Sequence, residues 1–333
     1  MQSINDNYFY GYHTAKLKTF YETVDYVLRN TPFTAMQIYL SNSRSFNPAK
    51  EDQADIIKTR KLLKMYNIKL FAHGNLLYNL CGAPMHRSDP NFNSNTKRVS
   101  ENLVLELDII AALGGEGVVV HPNSCHDIYK GLHTASKTIE FILKKNTVTS
   151  FTFSRLLGIP QSQFIKSRRI ILENSAHEGG KRGWNLNELS RIIRGVSEDV
   201  RSQIYVCIDT AHAYGAGIYD FGNTNHISKF YEDFEKEIGL DRLKLFHIND
   251  SRKSEKKAHN AYFGSCKDRH SLLGDGYIFE SKEESLSEFF KQALTRGISL
   301  IGEPPTPNGN MMEINEYYFV NSLLSKNDIF LVY

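Results

Sequence analysis

The chain has 333 residues, of which 41% are hydrophobic, 12% aromatic and 23% charged; this is a globular composition and excludes a disordered or fibrous protein. Its net charge is +3, so near balance that charge alone neither demands nor excludes a nucleic-acid partner. The four cysteines (Cys81, Cys125, Cys207 and Cys266) form no CxxC pair, which argues against a disulfide scaffold or a zinc ribbon and for reduced intracellular thiols.

The length suits two ordinary domains or one large α/β domain. The start MQSINDNYFYGYH lacks a basic stretch followed by an apolar core, so no secretory signal is read there. No apolar run reaches the ~20 residues of a membrane span. These features predict a soluble intracellular protein, with the compartment (cytoplasm, nucleus or virion) left to its source.

Taken in chain order, eight short apolar runs read as strands: YFYGYH (8–13), AMQIYL (35–40), KLFAHG (69–74), GVVVHP (117–122), RIILEN (169–174), YVCIDT (205–210), KLFHIND (244–250) and SLIGEP (299–304). Each is nearly continuous in apolar residues, as in a parallel sheet covered on both faces. Between them run helical patterns such as AKLKTFYETVDYVLRN, EDQADIIKTRKLLKMYN, RVSENLVLELDIIAALG and KEESLSEFFKQALTRG, with apolar residues at i, i+3 and i+4. Eight βα units predict one α/β domain, a TIM (β/α)8 barrel spanning 1–333. A doubly wound sheet is the alternative, but no Gly-rich phosphate turn follows the first strand. Two stretches rich in Lys and Arg, 144–168 and 251–267, read as loop insertions, either solvated or facing DNA.

The strand ends carry the chemistry. His73 ends the third run, His121 the fourth, Glu173 the fifth, Asp209 the sixth with His212 just beyond, His247 the seventh and Glu303 the eighth; Asp268 and His270 follow in the loop after the seventh. A barrel gathers these ends at one mouth, where active sites sit. Five imidazoles and four carboxylates are too many for one ion. Shared through bridging carboxylates, they would serve two or three metal ions. The imidazole content favours zinc, iron or manganese over calcium or magnesium, and four carboxylates buried without cations would be very costly. In Asp268-Arg269-His270, residues i and i+2 of an extended segment face the same side. The turn between Asp209 and His212 lets those two serve neighbouring ions. The remaining histidines, His13 among them, are assigned to packing or surface roles.

The motifs ILENSAHEGG, CIDTAHAYGAG, FHINDS, DRHSLLGDGYI and IGEPP resemble, in order and over nearly the whole chain, the endonuclease IV family of abasic-site DNA repair enzymes. The resemblance implies a TIM barrel with three zinc ions at the C-terminal strand ends, with manganese or iron as alternatives at one or more sites. His73, His121 and Glu173 would hold one ion; Glu173 would bridge to a second, completed by Asp209, His247 and Glu303; His212, Asp268 and His270 would hold the third. A water shared by two such ions becomes acidic enough to attack the phosphodiester, with Glu173 as the catalytic carboxylate. The implied reaction nicks DNA 5′ to an abasic site, leaving a 3′-hydroxyl and a 5′-deoxyribose phosphate. The implied partner is double-stranded DNA containing abasic sites, with no membrane, no obligate protein partner and a monomeric enzyme.

For DNA contacts the resemblance singles out Arg44, Leu76, Leu77 and Arg269, and more weakly Lys181 and Arg182. The chain departs from the family where His-Ala-Pro-Tyr is usual, reading His73-Gly74-Asn75-Leu76 followed by Leu77. Aromatic stacking is lost there, while Leu76 and Leu77 keep an apolar wedge. HPN replaces HPG after the fourth strand, and the 251–267 stretch is long; its lysines 253–257 are candidates for added phosphate contacts. A metal-dependent sugar isomerase or epimerase on the same barrel is the rival reading, but it uses fewer ligands. A lesion-binding protein without activity is the other rival, and no ligand has been lost.

Overall fold

The computed structural model describes residues 8–82, 94–303 and 311–326. The start of the chain, on which the reading of its N-terminus rests, and Pro304, at the end of the eighth run, lie outside them. Among the described residues there are ten strands: β1 (Tyr10–His13), β2 (Ala35–Tyr39), β3 (Lys69–His73), β4 (Gly117–Val120), β5 (Ile170–Glu173), β6 (Ile204–Asp209), β7 (Leu243–His247), β8 (Asp250–Ser251), β9 (His270–Ser271) and β10 (Ser299–Gly302). Eight of them close into a barrel in the order β1-β10-β7-β6-β5-β4-β3-β2, and every pairing in it is parallel. The sheet is therefore the TIM barrel that the eight apolar runs predict, and β8 and β9 form a separate antiparallel ribbon.

The helices are α1 (Phe20–Asn30), α2 (Gln53–Met65), α3 (Ser94–Leu113), α4 (Ile128–Lys144), α5 (Val148–Leu157), α6 (Gln161–Lys166), α7 (Leu186–Gly195), α8 (Glu198–Arg201), α9 (Thr210–Gly215), α10 (Thr224–Glu237), α11 (Glu283–Thr295) and α12 (Met311–Ser325). Their starts are written in the sequence. Thr19 and Glu22 make a reciprocal capping box on α1, and Asp52, Asp127 and Asn185 cap α2, α4 and α7, each satisfying an otherwise orphaned N–H. No helix among the described residues is long and apolar enough to cross a membrane.

The stretch 144–168 is not a loop. It folds into α5 and α6, with Thr147 and Ser150 capping α5 and Gly158 closing it at φ 68°. The fully buried Arg168 anchors the pair, donating from Nε to Asp108 at 2.8 Å and from Nη1 to the Lys145 carbonyl at 2.6 Å. Because it joins the end of α4 to the start of β5, this excursion lies at the N-terminal end of the barrel, away from the mouth. A DNA-facing role for 144–168 is thereby corrected.

The barrel interior explains where the site lies. Phe9, Ala35, Phe71, Val119, Ile171, Cys207, Leu245 and Ile301 form one inner apolar cluster. Strand side chains alternate faces, so the residue two further on also points inward. In six strands that residue is a proposed ligand: His73, His121, Glu173, Asp209, His247 and Glu303. The same step leads from Ala35 to Gln37. The interior is thus an apolar floor with a polar layer directly above it.

A candidate metal centre at the barrel mouth

Glu173 stands at the middle of the polar layer, with both oxygens engaged. Its Oε2 lies 3.4 Å from His73 Nε2 and 3.2 Å from His121 Nε2, while Oε1 lies 3.0 Å from His247 Nδ1 and 3.3 Å from His212 Nδ1. One carboxylate therefore faces two sets of donors, as a bridging ligand must. Glu303 Oε2 approaches His247 Nδ1 at 3.2 Å. Asp268 Oδ1 is 3.2 Å from His212 Nε2 and 3.4 Å from His270 Nε2, and Asp209 Oδ2 is 3.5 Å from His270 Nε2.

The ligand atoms fall into three groups compact enough to hold an ion each: His73, His121 and Glu173; Glu173, Asp209, His247 and Glu303; and Asp209, His212 and His270. The first two match the sets implied by the resemblance. The third brings in Asp209, which reaches two groups, while Asp268 touches both histidines of that group from the rim. The donor chemistry fits cations. Glu173 Oε2 and His270 Nε2 are buried and make no hydrogen bond, although charged or ring atoms stand 3.2–3.5 Å from each, an arrangement costly for polar atoms unless a cation completes it.

Neighbours fix which nitrogen each ring presents. His73 Nδ1 donates to the Gly74 carbonyl (2.8 Å), His212 Nδ1 to that of Asn174 (3.1 Å) and His270 Nδ1 to that of Glu303 (3.1 Å); all three leave Nε2 free to ligate. His247 is reversed. Its Nε2 donates to Gln37 Oε1 at 3.0 Å, so Nδ1 faces the cluster. Gln37 then spends its Nε2 on Glu303 Oε1 at 2.6 Å, orienting two ligands at once.

Buried amides lace the strand ends together. Asn174 Oδ1 accepts from the Asp209 N–H at 2.6 Å; Asn249 donates to Asp209 Oδ2 at 2.7 Å and accepts from the Glu303 N–H at 2.8 Å. The segment carrying Asp268 and His270 is latched from below by Asp250. Its carboxylate accepts backbone N–H bonds from Ser251, Gly274, Gly276, Ile278 and Phe279 at 2.7–3.2 Å. Gly276 is required there, because a Cβ would stand 2.4 Å from Asp250 Oδ1.

Electrostatics bind the cluster further. Burial opposes ionisation of Glu173, but the imidazoles of His121 and His247, with hydrogen bonds from His212 and His247, hold it well below the usual carboxylate range. Burial likewise disfavours a charged His212, yet Asp209 and Asp268 raise it well above an ordinary imidazole. For His121 burial wins and pushes its value down to about 4, which keeps the ring neutral and its lone pair available. Protons on imidazoles here balance the carboxylates; bound cations would take their place.

Seven of the nine predicted ligands line one cavity of about 280 Å³, and the fully buried Asp209 and His247 reach the same cluster from beneath it, against His270 and Glu173. Leu76 lines that cavity, Leu77 and Arg44 are exposed beside it, and Arg269 pairs with Glu178 at 3.4 Å next to the ligand Asp268. Lys181 Nζ lies 3.9 Å from Asp268 Oδ2. In the 251–267 stretch the exposed Lys253 pairs with Glu280 at 2.6 Å. The sequence reading missed Gln37 and misplaced His13. His13 lines the cavity, lies 3.3 Å from Glu303 Oε1 and meets Gln37 at 3.1 Å; it belongs to the polar layer rather than to simple packing. Both residues stand at inward positions of β1 and β2, which marks the layer they enter but not their partner Glu303.

A closed parallel barrel with a buried His and carboxylate cluster at its mouth defines a xylose isomerase-like TIM barrel, and the family model of that description matches residues 26–316. A curated relative from Halothermothrix orenii, "Probable endonuclease 4", is 30% identical over 282 residues, covering 84% of this chain and 87% of its own. The yeast "Apurinic-apyrimidinic endonuclease 1" from Saccharomyces cerevisiae is 27% identical over 297 residues, covering 86% of this chain and 70% of its own. The crystal structure of endonuclease IV from Thermus thermophilus superposes with a TM-score of 0.70 at 24% identity, covering 95% of this chain and 99% of that one, a likeness of fold. The chain belongs to the endonuclease IV family.

Proposed function

We infer that the protein is a zinc-dependent abasic-site endonuclease of base excision repair. It hydrolyses the phosphodiester 5′ to the lesion and leaves a 3′-hydroxyl and a 5′-deoxyribose phosphate. The observation that carries this reading is the divided carboxylate of Glu173, set among donor groups that together comprise eight side chains, with Asp268 touching His212 and His270 from the rim.

His73, His121 and Glu173 would hold one ion, Glu173 with Asp209, His247 and Glu303 a second, and His212, His270 and Asp268 a third, with Asp209 within reach of that last group. Ions held by these residues would supply positive charge for a phosphodiester and would lower the pKa of a bound water. Glu173, common to two of these groups, would accept the proton. Gln37 keeps Nδ1 of His247 turned to the cluster. The apolar floor of Phe71, Val119, Ile171 and Leu245 keeps bulk water from entering from below, which strengthens each electrostatic contact. At the rim, Leu76 and Leu77 offer an apolar wedge, and Arg44 and Arg269 offer cations to the duplex.

A sugar isomerase or epimerase needs only part of this donor set. The ribbon-borne pair Asp268 and His270 adds a third group of ligands, which favours the nuclease. The test is a nicking assay on a labelled duplex with one abasic site beside an identical intact duplex, using protein of known metal content. Cutting only at the lesion, with an extendable 3′ end, is expected; Glu173→Gln should lose at least ~10³-fold in turnover while its melting stays cooperative. Turnover of a ketose by metal-filled protein that leaves abasic DNA intact would replace this reading with the isomerase.

A further inference from the structure

Asn75 stands where the sequence departs from His-Ala-Pro-Tyr, two residues after the ligand His73, and its contacts serve none of the steps above. The side chain is 4% exposed, yet both donors of its amide and one lone pair of its oxygen are taken up. Nδ2 donates to the carbonyl of Asn42 at 2.8 Å and to that of Ser45 at 2.5 Å. Oδ1 accepts from the Leu77 N–H at 2.9 Å. Alongside, the Leu76 N–H donates to the Ser43 carbonyl at 3.1 Å.

These bonds join two turns from different strands. The turn after β2 carries Arg44, whose own N–H donates to Asn42 Oδ1 at 2.9 Å. The turn after β3 carries Leu76 and Leu77, 44% and 42% exposed. From below, α3 holds the first turn: Ser41 Oγ donates to Glu106 at 2.9 Å, and Asn102 Nδ2 donates to the Phe46 carbonyl at 3.0 Å. A buried amide between two exposed, recognition-competent turns is an expensive way to fill space unless its bonds are all made. Here both donors and the oxygen are bonded, and what they fix is the spacing between a cation and an apolar wedge.

We propose that Asn75 is a positioning residue that locks the Arg44 turn and the Leu76–Leu77 turn into one rigid lesion-reading unit. The inference rests on the abasic-site reading above. Two aliphatic side chains offer burial without the directional stacking of an aromatic ring. Their register with Arg44 therefore has to be built into the free protein, and a preorganised rim spares the ordering cost on binding. Proline at this position would offer no side-chain donor to Asn42 or Ser45 and no acceptor to Leu77.

The test is a double-mutant cycle on kcat/KM for a duplex with one abasic site, using metal-filled enzyme. Arg44→Ala, Leu76→Ala and the double variant are compared in the native background and in Asn75→Ala. In the native background the two losses should be coupled about fivefold. In Asn75→Ala the coupling should vanish and KM should rise about tenfold, with the rise in KM exceeding any fall in kcat. Asn75→Asp, of the same size but lacking the donor, should follow Asn75→Ala. Equal coupling in both backgrounds, or an unchanged KM in Asn75→Ala, overturns the proposal. Should Asn75→Ala fail to fold, Asn75→Ser keeps an acceptor near Leu77 and repeats the cycle. Amide hydrogen exchange at Leu76, whose N–H bonds the Ser43 carbonyl of the other turn, reads the tie without any substrate: faster exchange in Asn75→Ser supports it and unchanged exchange refutes it. A native enzyme that does not distinguish abasic from intact duplex would overturn the assigned function, while the exchange measurement would still decide the tie.

Discussion

Asp250→Asn probes how the third group of ligands is held. The carboxylate accepts five backbone N–H bonds, Oδ1 from Ser251 and Ile278 and Oδ2 from Gly274, Gly276 and Phe279. An amide has one acceptor oxygen and one NH2 donor. Whichever way it turns, at least two N–H groups lose their acceptor and face another donor. Hydrogen bonds to a charged acceptor are each worth about 1.5–3 kcal/mol net, so the change costs about 3–6 kcal/mol. That is a large share of the roughly 5–15 kcal/mol by which folded domains are stable. The cost falls on the segment 270–279, whose ribbon pairs His270 with Ser251. The expected outcome is a melting temperature lower by about 10 °C and a metal content reduced by one ion per chain relative to the native protein, read by elemental analysis and by calorimetry. Native metal content and melting in Asp250→Asn would show that Asp250 does not carry the latch.

Other substitutions test separate parts of the site. Gln37→Leu removes the acceptor for His247 Nε2–H and the donor to Glu303; metal affinity in a chelator titration should fall about 10–100-fold, and an unchanged affinity would discount the orienting role. Arg269→Ala should lower the slope of log binding constant against log salt by about 0.9 if its guanidinium meets one phosphate; a parallel shift with unchanged slope would place it off the backbone. Burial pushes Glu316 up to about 7, partly offset by the Leu273 N–H and the Tyr12 hydroxyl. Its folded value lies above that of the unfolded chain, so the unfolded chain releases this proton first as pH rises. The contribution is full below about pH 4 and is lost by about pH 7, a decline of about 3 kcal/mol. Denaturant melts across that range should show the decline, and Glu316→Gln, which mimics the protonated acid, should flatten it; identical pH profiles in the two proteins would rule the carboxyl out as its source.

The strands, the barrel and the convergence of the candidate ligands on its mouth were legible because local pattern carries them. A run such as IYVCID alternates inward and outward positions, and a charged residue that ends an apolar strand has nowhere to go but the mouth. The order of the motifs supplied the family. Other features were hidden because they depend on distances between residues far apart in the chain. The β-branched and aromatic residues of VTSFTFSRLL obscured α5, although Thr147, Ser150 and Gly158 mark its ends. His13 and Gln37 lie in strands one and two, and only closure of the barrel against β10 brings them to Glu303.

The sequence by itself determined which residues could serve as ligands and that they would share one end of a barrel, since strand periodicity and the βα alternation are properties of neighbouring residues. Only the tertiary structure decided how those ligands are partitioned: Glu173 divided between two groups, Asp209 within reach of two, Nδ1 rather than Nε2 of His247 turned inward, and Asn75 joined to a turn 30 residues earlier. Each of these depends on which carbonyl or amide comes to lie beside a given side chain once eight strands have closed, and that is fixed by the packing of the whole chain.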